Sequence, residues 1–183
     1  MIAVIFDTET TGLIKPGASK IEEQPYITDL YMLKVEHMDD GSIVKIDDYE
    51  SLLKVPIPLS SEITRITGLT DESLANSPTF SAECSRIAKF MTGVDRLVAH
   101  NLAFDRSMLA NELVRINRVL KFPWPREHVC TVEKSIYIEQ RRMSLTRLHE
   151  HFFGKGFDDA HRAKTDVNAL FKCYVEMCKQ GMI

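Results

Sequence analysis

Two acidic residues near the start of the chain are the first candidates for chemistry. Asp7 and Glu9 lie two residues apart at the end of an apolar segment, and the two-residue period of a strand would aim both carboxylates to the same side. No Lys, Arg or His occurs between Met1 and Ile14, so the segment contains no neutralising partner. The pair is therefore either part of a cation site or the start of a solvated turn.

Two further acids begin apolar stripes on predicted helices. Asp105 shares a helix face with positions 109, 113 and 116, and Asp166 shares one with positions 170, 173 and 177. Asp105 alone could simply complement the helix dipole in the first turn, which contributes roughly 0.3 to 1 kcal/mol. His161 lies five residues before Asp166, so we expect it to reach the same site from a loop that precedes the helix.

The four acids together predict a metal site. Each is expected at the terminus of an element beside apolar structure, where the active sites of α/β sheets collect. Clustered, they would carry a charge of about −4, which two divalent cations would cancel. Oxygen ligands favour Mg²⁺ or Mn²⁺ over zinc. The pattern indicates a two-metal site for phosphodiester chemistry, with His161 as a candidate catalytic residue.

The elements that must position these residues follow an α/β pattern. Strands are predicted at Ile2–Phe6, Tyr26–Met38, Ile43–Val55, Arg96–Ala99 and Val129–Thr131. Helices are predicted at 60–68, Ser81–Met91, from after Asn101 to about Asn117, Val132–Glu139, Leu145–Phe153 and Ala163–Lys179, the last capped by Asp158 or Asp159. Three early strands followed by strand–helix alternation imply an α/β domain with a mixed central sheet and flanking helices.

The size and charge of the chain limit the classes of protein to consider. Its 183 residues suit one domain spanning 1–183, and 44% hydrophobic with 27% charged residues is typical of a folded, water-soluble protein. The net charge is −3, with 5 basic against 11 acidic residues in 1–60 and +3 left for the remainder. Any nucleic acid would therefore be held by local chemistry, and a basic surface is expected in the later part.

The cysteines and the apolar segments predict a cytoplasmic protein without a membrane partner. Cys84, Cys130, Cys173 and Cys178 form no CxxC pair, and the chain has no basic-then-apolar leader. No apolar run approaches the roughly 20 residues that span a bilayer.

Three segments resemble the exonuclease motifs of the DEDD superfamily, namely Phe6–Leu13, His100–Asp105 and Ala160–Asp166. The histidine five residues before the last acid is typical of the DEDDh branch. The segment Ile66–Glu72 also resembles one that is common in proofreading subunits of bacterial DNA polymerase III. The likeness, which extends to ribonuclease T, runs from Ile2 to about Met177.

The resemblance implies a ribonuclease-H-like fold and a metal-dependent 3′–5′ exonuclease that releases nucleoside 5′-monophosphates. On that template Asp7, Glu9, Asp105 and Asp166 would hold two metal ions, Mg²⁺ or Mn²⁺. His161 would take a proton from the attacking water.

The resemblance also implies where the substrate binds. Thr10, Gly12 and Leu13 would line the pocket for the terminal nucleotide, with Leu13 against the last base, while Asn101 and Phe104 would help to position the strand. The expected substrate is a single-stranded 3′ end, with DNA favoured over RNA, and an exoribonuclease is the alternative. A catalytically silent nucleic-acid-binding subunit is disfavoured, because a binding module has no need to concentrate negative charge where phosphate must lie.

Some features depart from the family pattern or have two interpretations. Many relatives carry Ile-Ile-Glu-Ile-Gly where this chain has Tyr26–Leu30, and we assign no role to Asp29. A DNA polymerase is a candidate partner, but no polymerase-binding tail follows the last helix, which favours an exonuclease over a proofreading subunit. A group of basic residues is either a phosphate-tracking surface or a solvated face: Arg141, Arg142, Arg147, Lys155, Arg162 and Lys164.

Overall fold

The computed structural model describes residues 1–158 and 161–183, and its strands form a mixed sheet. The strands are β1 (Ile2–Thr10), β2 (Ile27–His37), β3 (Ile43–Leu52), β4 (Arg96–Ala99) and β5 (Glu127–Cys130). Within the described ranges their spatial order is β3-β2-β1-β4-β5. The pairs β1–β2 and β2–β3 are antiparallel, whereas β1–β4 and β4–β5 are parallel. The predicted α/β class with a mixed sheet is confirmed.

Helices cover both faces of this sheet. They are α1 (Ser61–Thr67), α2 (Asp71–Leu74), α3 (Phe80–Met91), α4 (Leu102–Arg115), α5 (Thr131–Glu139), α6 (Leu145–Phe153) and α7 (Ala163–Lys179). The starts of α1, α3 and α6 are capped by Ser60, Thr79 and Ser144, whose side chains accept hydrogen bonds from backbone N–H groups. Gly68 and Gly154 end α1 and α6 in the left-handed conformation, which glycine adopts without steric cost.

The core has a layer on each face of β1. Val4 and Phe6 pack in the cluster that contains α3 and α4, whereas Ala3 and Ile5 pack against α7. Burial on both faces explains why this strand is an unbroken apolar run rather than an alternating one. The same alternation continues to the polar end of the strand, so that its last acids fall on the α7 face and Thr8 on the α4 face.

The first strand is longer than the sequence predicts. It continues beyond Phe6 to Thr10, whose partner on β2 is Ile27. Asp7 and Glu9 therefore lie within the strand and not after it. Hydrogen bonding to β2 extends the strand through polar residues. A prediction from apolar residues alone ends the strand before them.

Two other local predictions change. Helix α2 was not predicted, because four residues carry no periodicity, and its start is a capping box between Thr70 and Ser73. The N-cap of α7 is Arg162, so Asp158 does not cap it, while Asp159 lies outside the described residues, as does Ala160 of the third motif. No helix within residues 1–158 and 161–183 combines the length and apolar character needed to cross a bilayer.

Candidate active site

Four acids from three elements meet at one edge of the sheet. Asp7 and Glu9 lie on β1, Asp105 lies in the first turn of α4, and Asp166 lies in the first turn of α7. Their mutual repulsion is felt at Asp7, whose pKa is raised first by burial and then by the charges of the other three. The structure thus brings together all four acids that the sequence singled out.

Asp105 is fixed to the first strand by two hydrogen bonds. The backbone N–H of Thr8 donates to Asp105 Oδ1 at 3.1 Å, and the Thr8 hydroxyl donates to the same oxygen at 2.8 Å. The Asp105 side chain is buried, so these bonds supply the partners that a buried carboxylate needs. They also hold α4 against β1.

Asp166 is only half satisfied within the protein. The backbone N–H of His161 donates to Asp166 Oδ2 at 3.1 Å, but Asp166 Oδ1 is buried and has no hydrogen-bond partner in the described part of the chain. Ligand atoms of Glu9, His161 and Asp166 lie within 4.8 Å of one another. An unpartnered buried oxygen beside two more ligand atoms fits a bound cation.

The raised pKa values of the clustered acids also favour a bound cation. Burial, reinforced by neighbouring acids, raises the pKa of Glu9 to about 7. Burial also raises the pKa of Asp105 to about 7 and that of Asp166 to about 6. A divalent cation would reverse this penalty, because its charge favours the ionised carboxylates. The oxygen-rich donor set suits a hard cation such as Mg²⁺ or Mn²⁺.

His161 lies in the loop before α7, as its spacing from Asp166 predicts. Its side chain is exposed, and its backbone φ of 71° is in the left-handed region, which residues other than glycine seldom adopt. Such strained residues persist only where surrounding contacts hold them.

The predicted substrate-binding residues flank the acids in two groups. Thr10 and Gly12 lie at the end of β1, where the Thr10 hydroxyl donates to the Gly12 carbonyl at 2.7 Å, and Leu13 beside them is 79% exposed. Asn101 and Phe104 lie at the start of α4, where Asn101 is the N-cap in the left-handed conformation.

Asp29 is the residue at this site to which the sequence assigned no role. It lies on β2 directly opposite Glu9, with its side chain 2% exposed, and Arg162 Nε donates to Asp29 Oδ2 at 3.1 Å. The available signal for Asp29 in the sequence was an acid inside a largely apolar strand. The register that places it beside Glu9 could not be read locally.

The basic residues form ion pairs for the most part. Arg141 and Arg147 pair with Glu139, and Arg162 pairs with Asp29. Lys164 also has a carboxylate partner, Glu50 on β3. In the described structure these residues therefore do not form a continuous surface of free cations.

Comparisons with known proteins agree with this site. The RNase T family model, described as "Exonuclease", matches residues 4–174. A PolC-type DNA polymerase III of Thermotoga petrophila is 30% identical over 182 residues, which are 97% of this chain and 12% of the polymerase. The enzyme of the same description from Bacillus subtilis is 31% identical over 178 residues, 97% of this chain and 11% of that protein. The chain thus spans only a small part of these relatives.

Solved structures show the same fold. The nuclease domain of 3′hExo, a DEDDh family member bound to rAMP, has a TM-score of 0.76 at 17% identity and covers 99% of this chain and 93% of that one. An E. coli ExoI–ssDNA complex has a TM-score of 0.77 at 14% identity, covering 98% and 41%. The predicted ribonuclease-H-like fold is confirmed. By its family model the chain belongs to the exonuclease family, and its fold and its three motifs agree with that assignment.

Proposed function

We propose that this protein is a cytoplasmic, single-domain 3′–5′ exonuclease that depends on divalent metal and releases nucleoside 5′-monophosphates from single-stranded 3′ ends, preferably of DNA. The observation that carries the proposal is the buried, unpartnered Asp166 Oδ1 within a cluster of four acids, beside Glu9 and His161. The four cysteines, all free in the described structure, suit a reduced compartment.

Asp7, Glu9, Asp105 and Asp166 would hold two ions, Mg²⁺ or Mn²⁺. When bound, such ions act as Lewis acids that acidify the attacking water and stabilise the leaving 3′ oxygen. The protein contributes the fixed carboxylates: two on the rigid strand β1, and one in the first turn of each of two helices. The N-termini of α4 and α7 also carry partial positive charge, which favours both the acids and a substrate phosphate.

His161 would accept the proton of the attacking water. A general base must lie within hydrogen-bond reach of the proton that it takes, directly or through one water. The exposed imidazole lies at the edge of the cluster, with its ligand atom within 4.8 Å of those of Glu9 and Asp166.

The end of the nucleic acid would bind between two groups of residues. Leu13 offers an exposed apolar side chain for the last base, in a turn that the Thr10–Gly12 hydrogen bond fixes. The Asn101 side chain makes no cap hydrogen bond in the described structure, so its amide is available to the strand, with Phe104 one turn further along.

DNA is the proposed substrate because the relatives that match almost the whole chain are DNA polymerases, which also makes a DNA polymerase the proposed partner. A second candidate function is exoribonuclease activity, which the likeness to a nuclease domain bound to rAMP favours. Contacts to the 2′-hydroxyl would decide between the two sugars.

The proposal is tested by digesting a 5′-labelled oligonucleotide with Mg²⁺. We expect Asp166→Asn and EDTA each to abolish nucleotide release, because Asn still accepts the His161 N–H but lacks the charge that holds a cation. Glu176→Gln, which removes a carboxylate from the same helix far from the cluster, is the matched control and should keep wild-type activity. Nucleotide release that persists in EDTA or in Asp166→Asn would refute metal-dependent catalysis at this cluster.

A further inference from the structure

Helix α7 begins without a cap of its own, immediately after the candidate general base. Its N-cap, Arg162, makes no side-chain cap hydrogen bond within the described residues. His161 next to it holds the unfavourable left-handed conformation. Within the described residues, the local side-chain hydrogen bond at this turn is the one from the His161 N–H to Asp166 Oδ2. A contact from another element must add to it if the turn is to keep one geometry.

Asp29 on β2 supplies such a contact. Its carboxylate accepts a hydrogen bond from Arg162 Nε at 3.1 Å. This arginine also lowers the pKa of Asp29 against the effect of burial, which raises it. One side chain from the sheet thus holds the residue that follows His161.

The strength of this contact follows from burial. The Asp29 side chain is almost fully buried, whereas that of Arg162 is 42% exposed. Loss of one partner of a buried pair leaves an uncompensated charge, so the carboxylate retains the arginine firmly. Asp166 meanwhile holds the backbone N–H of His161 itself. The turn is therefore held at two successive residues: Asp166 holds His161, and Asp29 holds Arg162.

We propose that Asp29 is a positioning residue, which fixes the His161 turn against the sheet through Arg162 so that the imidazole lies beside Glu9 and Asp166. The inference rests on the proposed role of His161 as general base. In this arrangement Asp29 touches neither substrate nor reacting atoms, and it acts only through the backbone that carries His161.

The structural part of the test uses metal-free protein and needs no activity. Amide hydrogen exchange at residues 161–163 is measured by NMR for Asp29→Ala, Asp29→Asn and Arg162→Gln. We expect at least about tenfold faster exchange there in Asp29→Ala and Arg162→Gln, and a smaller change in Asp29→Asn, whose amide oxygen can still accept the Arg162 Nε–H. Glu50→Gln is the matched control, because it removes the neighbouring ion pair with Lys164 without touching the turn.

The kinetic part separates positioning from binding. We expect Asp29→Ala and Arg162→Gln to lower kcat by about 10- to 100-fold with KM and Mg²⁺ affinity within about threefold of wild type, as for a misplaced catalytic group. The double variant should be no worse than either single variant, since both break one contact. If Asp29→Ala fails to fold, Asp29→Asn can be used for the same measurements.

Three results would overturn the proposal. Unchanged exchange at residues 161–163 would show that Asp29 does not hold the turn. Lowered kcat with unchanged exchange, or a large loss of Mg²⁺ affinity, would make Asp29 a direct participant and not a positioning residue. Because the exchange measurement is made on metal-free protein, it separates failure of this inference from failure of the exonuclease assignment.

Discussion

At the scale of single residues, the site consists of carboxylates that burial makes costly to ionise. Burial raises the pKa of both Glu9 and Asp105 to about 7, and it raises that of Asp7 well above its ordinary value. Protons and divalent cations therefore compete for the same oxygens near neutral pH. The same charges that suit the site to cations should destabilise the metal-free fold.

The pH dependence of stability tests this directly. Because these folded-state pKa values lie above the unfolded values of about 4, the folded protein holds more protons than the unfolded chain between about pH 4 and pH 7. The free energy of unfolding in EDTA should therefore fall as pH rises through that window, and Mg²⁺ should restore it above the window. Thermal unfolding at about pH 5 and about pH 8, with and without Mg²⁺, measures both effects.

Asp105→Asn should stabilise the metal-free protein at about pH 8. Asparagine removes one charge but can still accept the two hydrogen bonds from Thr8, so repulsion is relieved without loss of packing. Each pKa unit of relief is worth about 1.4 kcal/mol. The gain should vanish near pH 5 and in the presence of Mg²⁺, whereas a variant that is less stable than wild type in EDTA at about pH 8 would contradict the account.

His161→Ala should lower kcat by about 10² to 10⁴-fold with a smaller change in KM, because general-base catalysis typically contributes that much. Steady-state nucleotide release at saturating Mg²⁺ measures both constants. His151→Ala, a change at an exposed histidine of α6, is the control. Turnover equal to wild type in His161→Ala would remove the assigned role.

At the scale of elements, the loop before β2 is attached to α4 by one arginine. Arg115 Nη2 donates to the carbonyls of Ile21, Gln24 and Pro25, at 3.1, 2.7 and 2.9 Å. Its guanidinium also lies 3.8 Å from the centre of the Tyr26 ring. This loop follows directly on the Leu13 turn, so the arginine stabilises the segment that is proposed to bind the substrate.

Arg115→Leu should therefore destabilise the fold by about 2 to 4 kcal/mol, because it leaves the buried Glu112 carboxylate without its cation. Arg118→Leu, at an exposed position just beyond the helix, is the control and should cost under about 0.5 kcal/mol. Urea unfolding curves of the three proteins measure the difference. Equal stability of the two variants would show that the loop is not held in this way.

Elements were predictable where their signals are local, and contacts between elements were not. The strand that carries Asp7 and the helices that begin near Asp105 and Asp166 follow from apolar runs and periodicity. The register of β2 does not, because pairing depends on residues distant in sequence, and so Asp29 was given no role. The start of α7 at Ala163 was predicted correctly, but its cap was not, because the N-cap is Arg162, whose side chain contacts Asp29 on the sheet.

At the scale of the whole molecule, the sheet and the helices contribute different parts of the site. The antiparallel half, β1 with β2, supplies Asp7, Glu9 and Asp29 on rigid strands. The helices that follow supply Asp105 and Asp166 from their first turns. A net charge of −3 gives the molecule no general attraction for nucleic acid, so the proposed specificity for 3′ ends must come from this one edge of the sheet.

The direction and metal dependence of cleavage test the central claim most directly. Matched single-stranded DNA and RNA, each labelled at the 5′ end in one sample and at the 3′-terminal nucleotide in another, are digested with Mg²⁺ or with EDTA. We expect the 3′ label to leave first as a nucleoside 5′-monophosphate, the 5′ label to appear in a ladder of shortening strands, DNA to be cut faster than RNA, and EDTA to stop both reactions. Internal cuts, release from the 5′ end, or cleavage that continues in EDTA would contradict the account.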